Sequence, residues 1–298
     1  MSEDFRSGFV SLAGKPNVGK STLANRLIGH KISITSPRPQ TTRHRILGIR
    51  TDSETQMILV DTPGLHPSGG RMMNRVINRT ARNSLAGVDV ILLLINSSGW
   101  GSDDELPFDA AVGQKVPLVL VINKIDKLKR KADLLPLIDE SRGRFDFEEI
   151  VPVSALTGYN VDALYLTLRS RLPVAPKCFP DDQVTDRSAR FVVSELIREQ
   201  LFRRLGQELP YVTAVRLESY EETGELIRVR AEIWVERDSH KGIIVGRGGA
   251  RLKEIGTAAR QQIERFVGKK AYLELWVKVR KGWRDDRAAL EGLGYTEH

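Results

Sequence analysis

Cysteine is nearly absent: the chain of 298 residues has one, Cys178. A lone thiol cannot close an internal disulfide, so the fold must rest on an apolar core. Long hydrophobic runs are also missing. The longest, residues 90–95 and 117–122, fall far short of the roughly 20 residues needed to cross a bilayer as a helix. Residues 1–8, MSEDFRSG, lack the basic start and apolar stretch of a secretory signal. The cytoplasm is therefore the expected compartment. No internal repeat, low-complexity tract or lipidation motif is present, and no strongly amphipathic basic helix stands out.

A length about twice that of a common domain leads us to expect two domains and excludes a single small scaffold. The formal charge is +8, and residues 237–287 alone hold 14 basic and 6 acidic side chains. One late region thus carries the whole excess, as a polyanion-binding surface would.

Residues 9–12, 57–60, 90–95, 118–122 and 150–153 read as buried strands alternating with helical patterns. This order points to an α/β domain with a doubly wound, mainly parallel sheet over residues 1–175. Three prolines in residues 173–180 mark a break, and residues 176–183 are assigned to a linker. Residues 184–298 then form a smaller α+β unit. In it Leu196, Ile197, Leu201 and Leu205 share a helical face, and Ile227 to Val235 alternate as a half-buried antiparallel strand. A last strand runs through Leu273, Leu275, Val277 and Val279.

The first strand leads into Gly14-Lys15-Pro16-Asn17-Val18-Gly19-Lys20-Ser21-Thr22 and then a helical pattern. This is the phosphate-loop motif in its strand–loop–helix context, in which backbone N–H groups and a helix N-terminus face a polyphosphate. Lys20 can reach the β- and γ-phosphates, Ser21 can offer a hydroxyl to Mg²⁺, and Thr22 can offer a backbone N–H. The strand 57–60 ends in Asp61-Thr62-Pro63-Gly64, which puts a carboxylate where Mg²⁺ needs one and lets Gly64 present its N–H to a γ-phosphate.

Two more strand ends carry Asn123-Lys124-Ile125-Asp126 and Ser154-Ala155-Leu156. Asp126 can accept from both N1–H and the 2-amino group of guanine, which adenine cannot match. Lys124 can cover the base, Asn123 can brace the phosphate loop, and the Ala155 N–H can donate to O6.

These four motifs, in this order, resemble those of the translation-factor-related GTPases, and GKPNVGKST with DTPGL resembles their Era-like branch over residues 8–175. The resemblance implies that residues 37–45, PRPQTTRHR, form a mobile switch with a Mg²⁺-binding threonine, Thr42 in first place and Thr41 in second. It also implies K⁺ as a candidate cofactor held through Asn17. Where better-known small GTPases place a water-orienting glutamine after D-x-x-G, this chain has Leu65. Catalysis then falls to Lys20, Thr42, Gly64, Asn17 and the bound cations, and hydrolysis without a partner should be slow.

In the basic region, residues 243–249 with the helix after them resemble a K-homology motif, whose G-x-x-G loop clamps the backbone of about four nucleotides. The order helix, strand, strand, helix, G-x-x-G, helix, strand is that of the bacterial, type II form. Ile244, Gly246, Arg247, Gly248 and Gly249, with Lys241, Arg251 and Lys253 around them, are the expected RNA contacts. Trp276 and Trp283 are read as packing residues rather than base platforms.

The whole chain thus resembles the ribosome-assembly members of the Era-like branch. That resemblance implies GTP and GDP as ligands and, as partners, 16S ribosomal RNA near its 3′ end and the small (30S) subunit. It also implies peripheral contact with the cytoplasmic face of the inner membrane, and a monomer is expected. The competing reading is an RNA chaperone whose GTP site is structural, with negligible turnover.

Overall fold

The structure is a computed structural model that describes residues 5–65, 70–206 and 208–295. The first unit is built around β1 (Arg6–Ala13), β2 (Ile46–Thr51), β3 (Thr55–Asp61), β4 (Val90–Asn96), β5 (Leu118–Asn123) and β6 (Glu149–Pro152). They form one sheet in the order β2-β3-β1-β4-β5-β6, with only β2 antiparallel to its neighbour. The central strands are buried on both faces, which is why they read as unbroken apolar runs. Around them lie α1 (Lys20–Ile28), α2 (Met72–Asn83), α3 (Ser102–Val112), α4 (Leu135–Arg144) and α5 (Val161–Arg171). The order of strands turns around at β1, and the ends of β1, β3, β5 and β6 there carry the four sequence motifs.

Strand β2 was not anticipated, because Gly48 and Arg50 interrupt its apolar pattern. It lies at the sheet edge, where the chain leaving α5 covers it. The Ile49 N–H donates to the Val184 carbonyl at 2.9 Å, the Leu47 N–H to Asp186 at 3.0 Å, and the Thr185 hydroxyl to the Leu47 carbonyl at 2.7 Å. Buried Gln56 accepts from the N–H groups of Cys178 and Phe179 and donates to the Phe179 carbonyl. The expected linker is therefore a strap fastened to the first sheet as far as Asp186, and it closes an edge that could pair with another chain.

The second unit comprises α6 (Ala189–Arg204), β7 (Ala214–Thr223), β8 (Leu226–Val235), α7 (Asp238–Val245), α8 (Ala250–Val267), β9 (Lys270–Val279) and α9 (Arg287–Gly292). Its sheet has the order β7-β8-β9. Strand β8 is antiparallel to β7, as its alternation suggests, and parallel to β9. Helices α6 and α8 cover one face through Val193, Leu196, Ile197, Ala259 and Ile263. Trp283 is fully buried and Trp276 is half-buried.

The two units share a core cluster. Met73, Val76 and Ile77 of α2 pack against Trp234, Trp283, Leu290 and Tyr295. This corrects the expectation that no amphipathic basic helix exists. Apolar residues of α2 recur every three or four positions, with Arg71, Arg75, Arg79 and Arg82 exposed between them. So many arginines lower the segment's mean hydropathy enough to hide the stripe.

Candidate nucleotide site and RNA-facing loop

The four motifs converge on one cavity of about 550 Å³, lined by Asn17, Gly19, Lys20, Ser21 and Thr22, by Thr42 and Gly64, and by Asn123, Lys124, Asp126, Ala155 and Leu156. Lys20 is buried, and its ammonium donates to the carbonyls of Gly14 and Lys15 at 2.9 and 3.0 Å. Burial pushes its pKa down to about 8, against the opposing pull of Asp61. Gly64 lies so close to the phosphate loop that a Cβ there would sit 2.6 Å from the Pro16 nitrogen. Only glycine lets the two backbones approach in this way. Val18 is wholly buried beneath the loop.

Asn123 ties the motifs together. Its amide donates to the Val18 carbonyl at 2.8 Å and accepts from the Ala155 N–H at 3.0 Å. The Lys124 ammonium reaches the Asn17 carbonyl across the cavity mouth. The Ser154 hydroxyl donates to Asp126 at 2.5 Å and fixes that carboxylate. Asp126 itself is exposed at the rim. A base must therefore cover it before mispairing becomes costly. Leu156 is also exposed, whereas Leu65 is buried, and its aliphatic side chain has no polar atom with which to orient a water molecule.

The residues expected around Mg²⁺ fit a cation. Both Asp61 oxygens are buried and neither has a hydrogen-bond partner among the described residues. Desolvation raises that carboxyl's pKa, against the opposing pulls of Ser33, Ser21 and Lys20. The Ser21 and Thr42 hydroxyls lie 2.6 Å apart. The Thr41 hydroxyl is used instead on the Arg38 carbonyl at 2.8 Å. Asn17 is exposed with φ near 60°.

Sequence reasoning missed what holds residues 35–45. Helix α6 presents Glu199, fully buried, to the Thr35 N–H at 3.1 Å and to Lys31 at 2.5 Å. Arg203, whose guanidinium bonds Glu199 and the Thr35 carbonyl, also lines the nucleotide cavity. Buried Arg43 donates to the carbonyls of Thr213 and Pro210, and His44 stacks on Tyr295 at 4.5 Å between ring centroids. No local pattern marks these residues, since their partners lie some 160 to 250 positions away in sequence.

In the second unit, α7 ends at Gly246 and α8 begins after Gly249. Gly248 has φ of 58°, and a Cβ built there would meet nothing within 4 Å. The loop backbone is thus open to an approaching phosphate. Lys241, Arg247, Arg251 and Lys253 are exposed around it. Ile244 is a correction: it is fully buried with Leu201, Leu205 and Ile255, while the neighbouring Ile243 is exposed. The helical turn gives the two adjacent residues different faces, and the core takes Ile244. Beside the loop, Leu252, Gly256, Thr257, Arg260, Leu273 and Leu275 line a groove of about 370 Å³ that sequence reasoning did not identify.

A phosphate loop braced by N-K-x-D, with a free carboxylate at its metal position, belongs to a guanine-nucleotide-binding P-loop GTPase. Here that GTPase is joined to a K-homology domain. Residues 9–124 match the family described as 50S ribosome-binding GTPase, and residues 208–284 match the KH domain family. The chain is 53% identical over 288 residues to GTPase Era of Stenotrophomonas maltophilia, covering 97% of each chain. It is 54% identical over 295 residues to GTPase Era of Xanthomonas oryzae pv. oryzae, covering 99% of this chain and 98% of that one. Among solved structures it is similar to a variant of Aquifex aeolicus Era bound to GDP·AlF4⁻. The TM-score is 0.95 and the identity 40%, over 98% of this chain and 100% of that one. A crystal structure of Era with MgGDPNP and nucleotides 1506–1542 of 16S ribosomal RNA gives the same score and identity, over 98% and 99%. The chain belongs to the Era family of GTPases.

Proposed function

We propose that this GTPase binds 16S ribosomal RNA near its 3′ end through the Gly246–Gly249 loop and assists maturation of the small ribosomal subunit, with nucleotide state setting the grip on RNA. The observation that carries this reading is the hold of α6 on residues 35–45, beside Thr42. The Era complex that contains both MgGDPNP and nucleotides 1506–1542 of 16S ribosomal RNA supports the choice of RNA.

In this reading residues 1–175 are the GTPase domain, 176–183 the linker and 184–298 the K-homology domain. Gly14, Asn17, Val18, Gly19, Lys20, Ser21 and Thr22 cradle the phosphates, and Gly64 meets the γ-phosphate. Asn123, Lys124, Asp126, Ser154, Ala155 and Leu156 bind guanine. Ser21, Thr42 and Asp61 hold Mg²⁺, which supplies charge neutralisation at the β- and γ-phosphates. Lys20 adds a positioned positive charge, and the exposed side chain of Asn17 is the proposed K⁺ ligand. No side-chain base is assigned, so hydrolysis rests on positioning and electrostatics.

The 30S particle as the site of action and a monomeric state belong to the same proposal, as does peripheral contact with the inner membrane. The net positive charge suits either polyanionic surface. Among the described residues no helix is long and apolar enough to cross a membrane.

Multiple-turnover phosphate release with Mg²⁺ separates this reading from a structural GTP site. Turnover on the order of 10⁻³ s⁻¹ or less, accelerated by a partner, is expected of an unassisted switch. No turnover beyond the first equivalent, with or without RNA, would favour the chaperone reading.

A further inference from the structure

We propose that Lys15 and Asp104 are a positioning pair for GTP hydrolysis, fixing the Lys15–Pro16 peptide on which Lys20 and Gly64 both rest. The inference goes beyond the reading above and depends on its assignment of Lys20 and Gly64 to the phosphates. The phosphate-loop pattern leaves position 15 free, so the motif itself does not require a lysine there. Its ammonium nevertheless reaches Asp104 of α3 at 2.7 Å, a residue 89 positions away in sequence.

Asp104 is buried. One carboxylate oxygen accepts from Lys15 and also from the Gly101 N–H at 3.0 Å, which caps the start of α3. The other oxygen is buried with no hydrogen-bond partner among the described residues. A carboxylate so placed depends on its cation, and the packed helix gives the pair a rigid base. Capping alone does not call for Lys15, because an acid in the first turn is already favoured by the free N–H groups of the helix.

The loop end of the pair is what reaches the reaction. The Lys15 carbonyl accepts from the Lys20 ammonium at 3.0 Å. Gly64 packs over the same peptide, where a Cβ would sit 2.6 Å from the Pro16 nitrogen and 3.0 Å from the Lys15 carbonyl carbon. Pro16 has no N–H, so hydrogen bonding can hold this peptide only by its carbonyl, and that carbonyl serves Lys20. The remaining anchor is the Lys15 side chain. A shift of the peptide moves two things together, the charge that Lys20 aims at the phosphates and the Gly64 backbone that faces the γ-phosphate. Such a shift costs the chemical step more than ground-state binding, because positioning and charge are what this site offers the transition state.

The test uses the full chain carrying Lys15→Met with Asp104→Asn, which removes both charges while the asparagine can still accept from the Gly101 N–H. Single-turnover hydrolysis of bound GTP with Mg²⁺ should slow at least about tenfold, with GDP affinity within about threefold of the parent. Lys15→Arg keeps the ion pair and should hold the rate within about twofold. A role confined to anchoring α3 predicts instead a lower unfolding temperature and an unchanged rate for the folded, GTP-loaded protein. An unchanged rate in the double variant, equal losses of rate and GDP affinity, or a loss in Lys15→Arg as large as in the double variant would each overturn the inference. Lys20→Ala checks the site reading separately: it should abolish hydrolysis, and retained hydrolysis would sink that reading and this inference with it. If the double variant fails to fold, Lys15→Gln decides, since it can still hydrogen-bond Asp104 without the charge. A smaller loss of rate with GDP affinity kept is then expected, and a rate equal to the parent's overturns the inference.

Discussion

The guanidinium of Arg198 donates a 2.5 Å hydrogen bond to the backbone carbonyl of Thr41. Arg198 is buried and belongs to α6 of the RNA-facing unit. Thr41 lies one residue from Thr42, whose hydroxyl meets Ser21 of the phosphate loop. A change at the metal position therefore has a two-residue path into the second unit. Glu199 on Thr35 and Arg43 in its socket of carbonyls make the same connection at either side. If two sites are coupled in this way, each ligand must alter the affinity of the other by the same factor.

Arg198 is paired with buried Glu195 through two hydrogen bonds. Arg198→Met leaves that carboxylate buried without its partner and should cost about 3–5 kcal/mol in denaturant unfolding. Glu195→Gln with Arg198→Met should recover most of the loss while still lacking the bond to Thr41. Equal destabilisation in the single and double variants would show that the pair is not what the site depends on.

His44 gives a pH dependence. Burial pushes its pKa down to about 4, with Arg198, Arg187 and Arg43 adding to the effect and Glu195 opposing it. The unfolded chain takes up a proton near pH 6.5, while the folded chain does so only near pH 4. Stability should therefore fall as pH drops from 6.5 towards 4, by about 2 kcal/mol at pH 5. His44→Phe keeps a ring for Tyr295 and Phe191 and should flatten this part of the profile. The check is the difference between the two proteins in isothermal unfolding from pH 7 to 5.

Asp126→Asn should weaken GTP binding by on the order of 100-fold and favour xanthosine nucleotides, since an amide can donate to the 2-carbonyl of xanthine. Ser154 can hydrogen-bond either side chain, so the loop should keep its shape. Retained GTP affinity in a direct titration would remove Asp126 from base recognition.

Gly248→Asp should reduce RNA affinity at least tenfold by placing a carboxylate where phosphate approaches. Thermal stability should change little, because the new Cβ meets no atom within 4 Å and aspartate is among the residues that best tolerate a positive φ. A matched loss of stability would assign the glycine to folding instead.

The nucleotide site was legible in the sequence because each motif sits at a strand end and works through its own few residues. Asn123, Lys20 and Asp61 could be placed before any coordinates. Edge strand β2 was not, since Gly48 and Arg50 break its pattern and its cover comes from residues 184–186. The hold on residues 35–45 was hidden for a different reason. Arg43 and His44 look like members of an ordinary basic loop until α6 and Tyr295 arrive from the far end of the chain. Ile244 is the opposite case, since it belongs to the loop motif while the packing of α7 turns its side chain into the core.

The most direct test of the coupling is an RNA titration of the full chain with a non-hydrolysable GTP analogue, with GDP and without nucleotide, at one fixed salt concentration. An ordered residue 35–45 segment can hold one arrangement of the two units, so the GTP analogue should give the tightest RNA binding. Arg198→Met should shrink the difference between nucleotides. Identical RNA affinities in all three conditions for the parent protein would contradict the account and leave two domains that share a chain without sharing a signal.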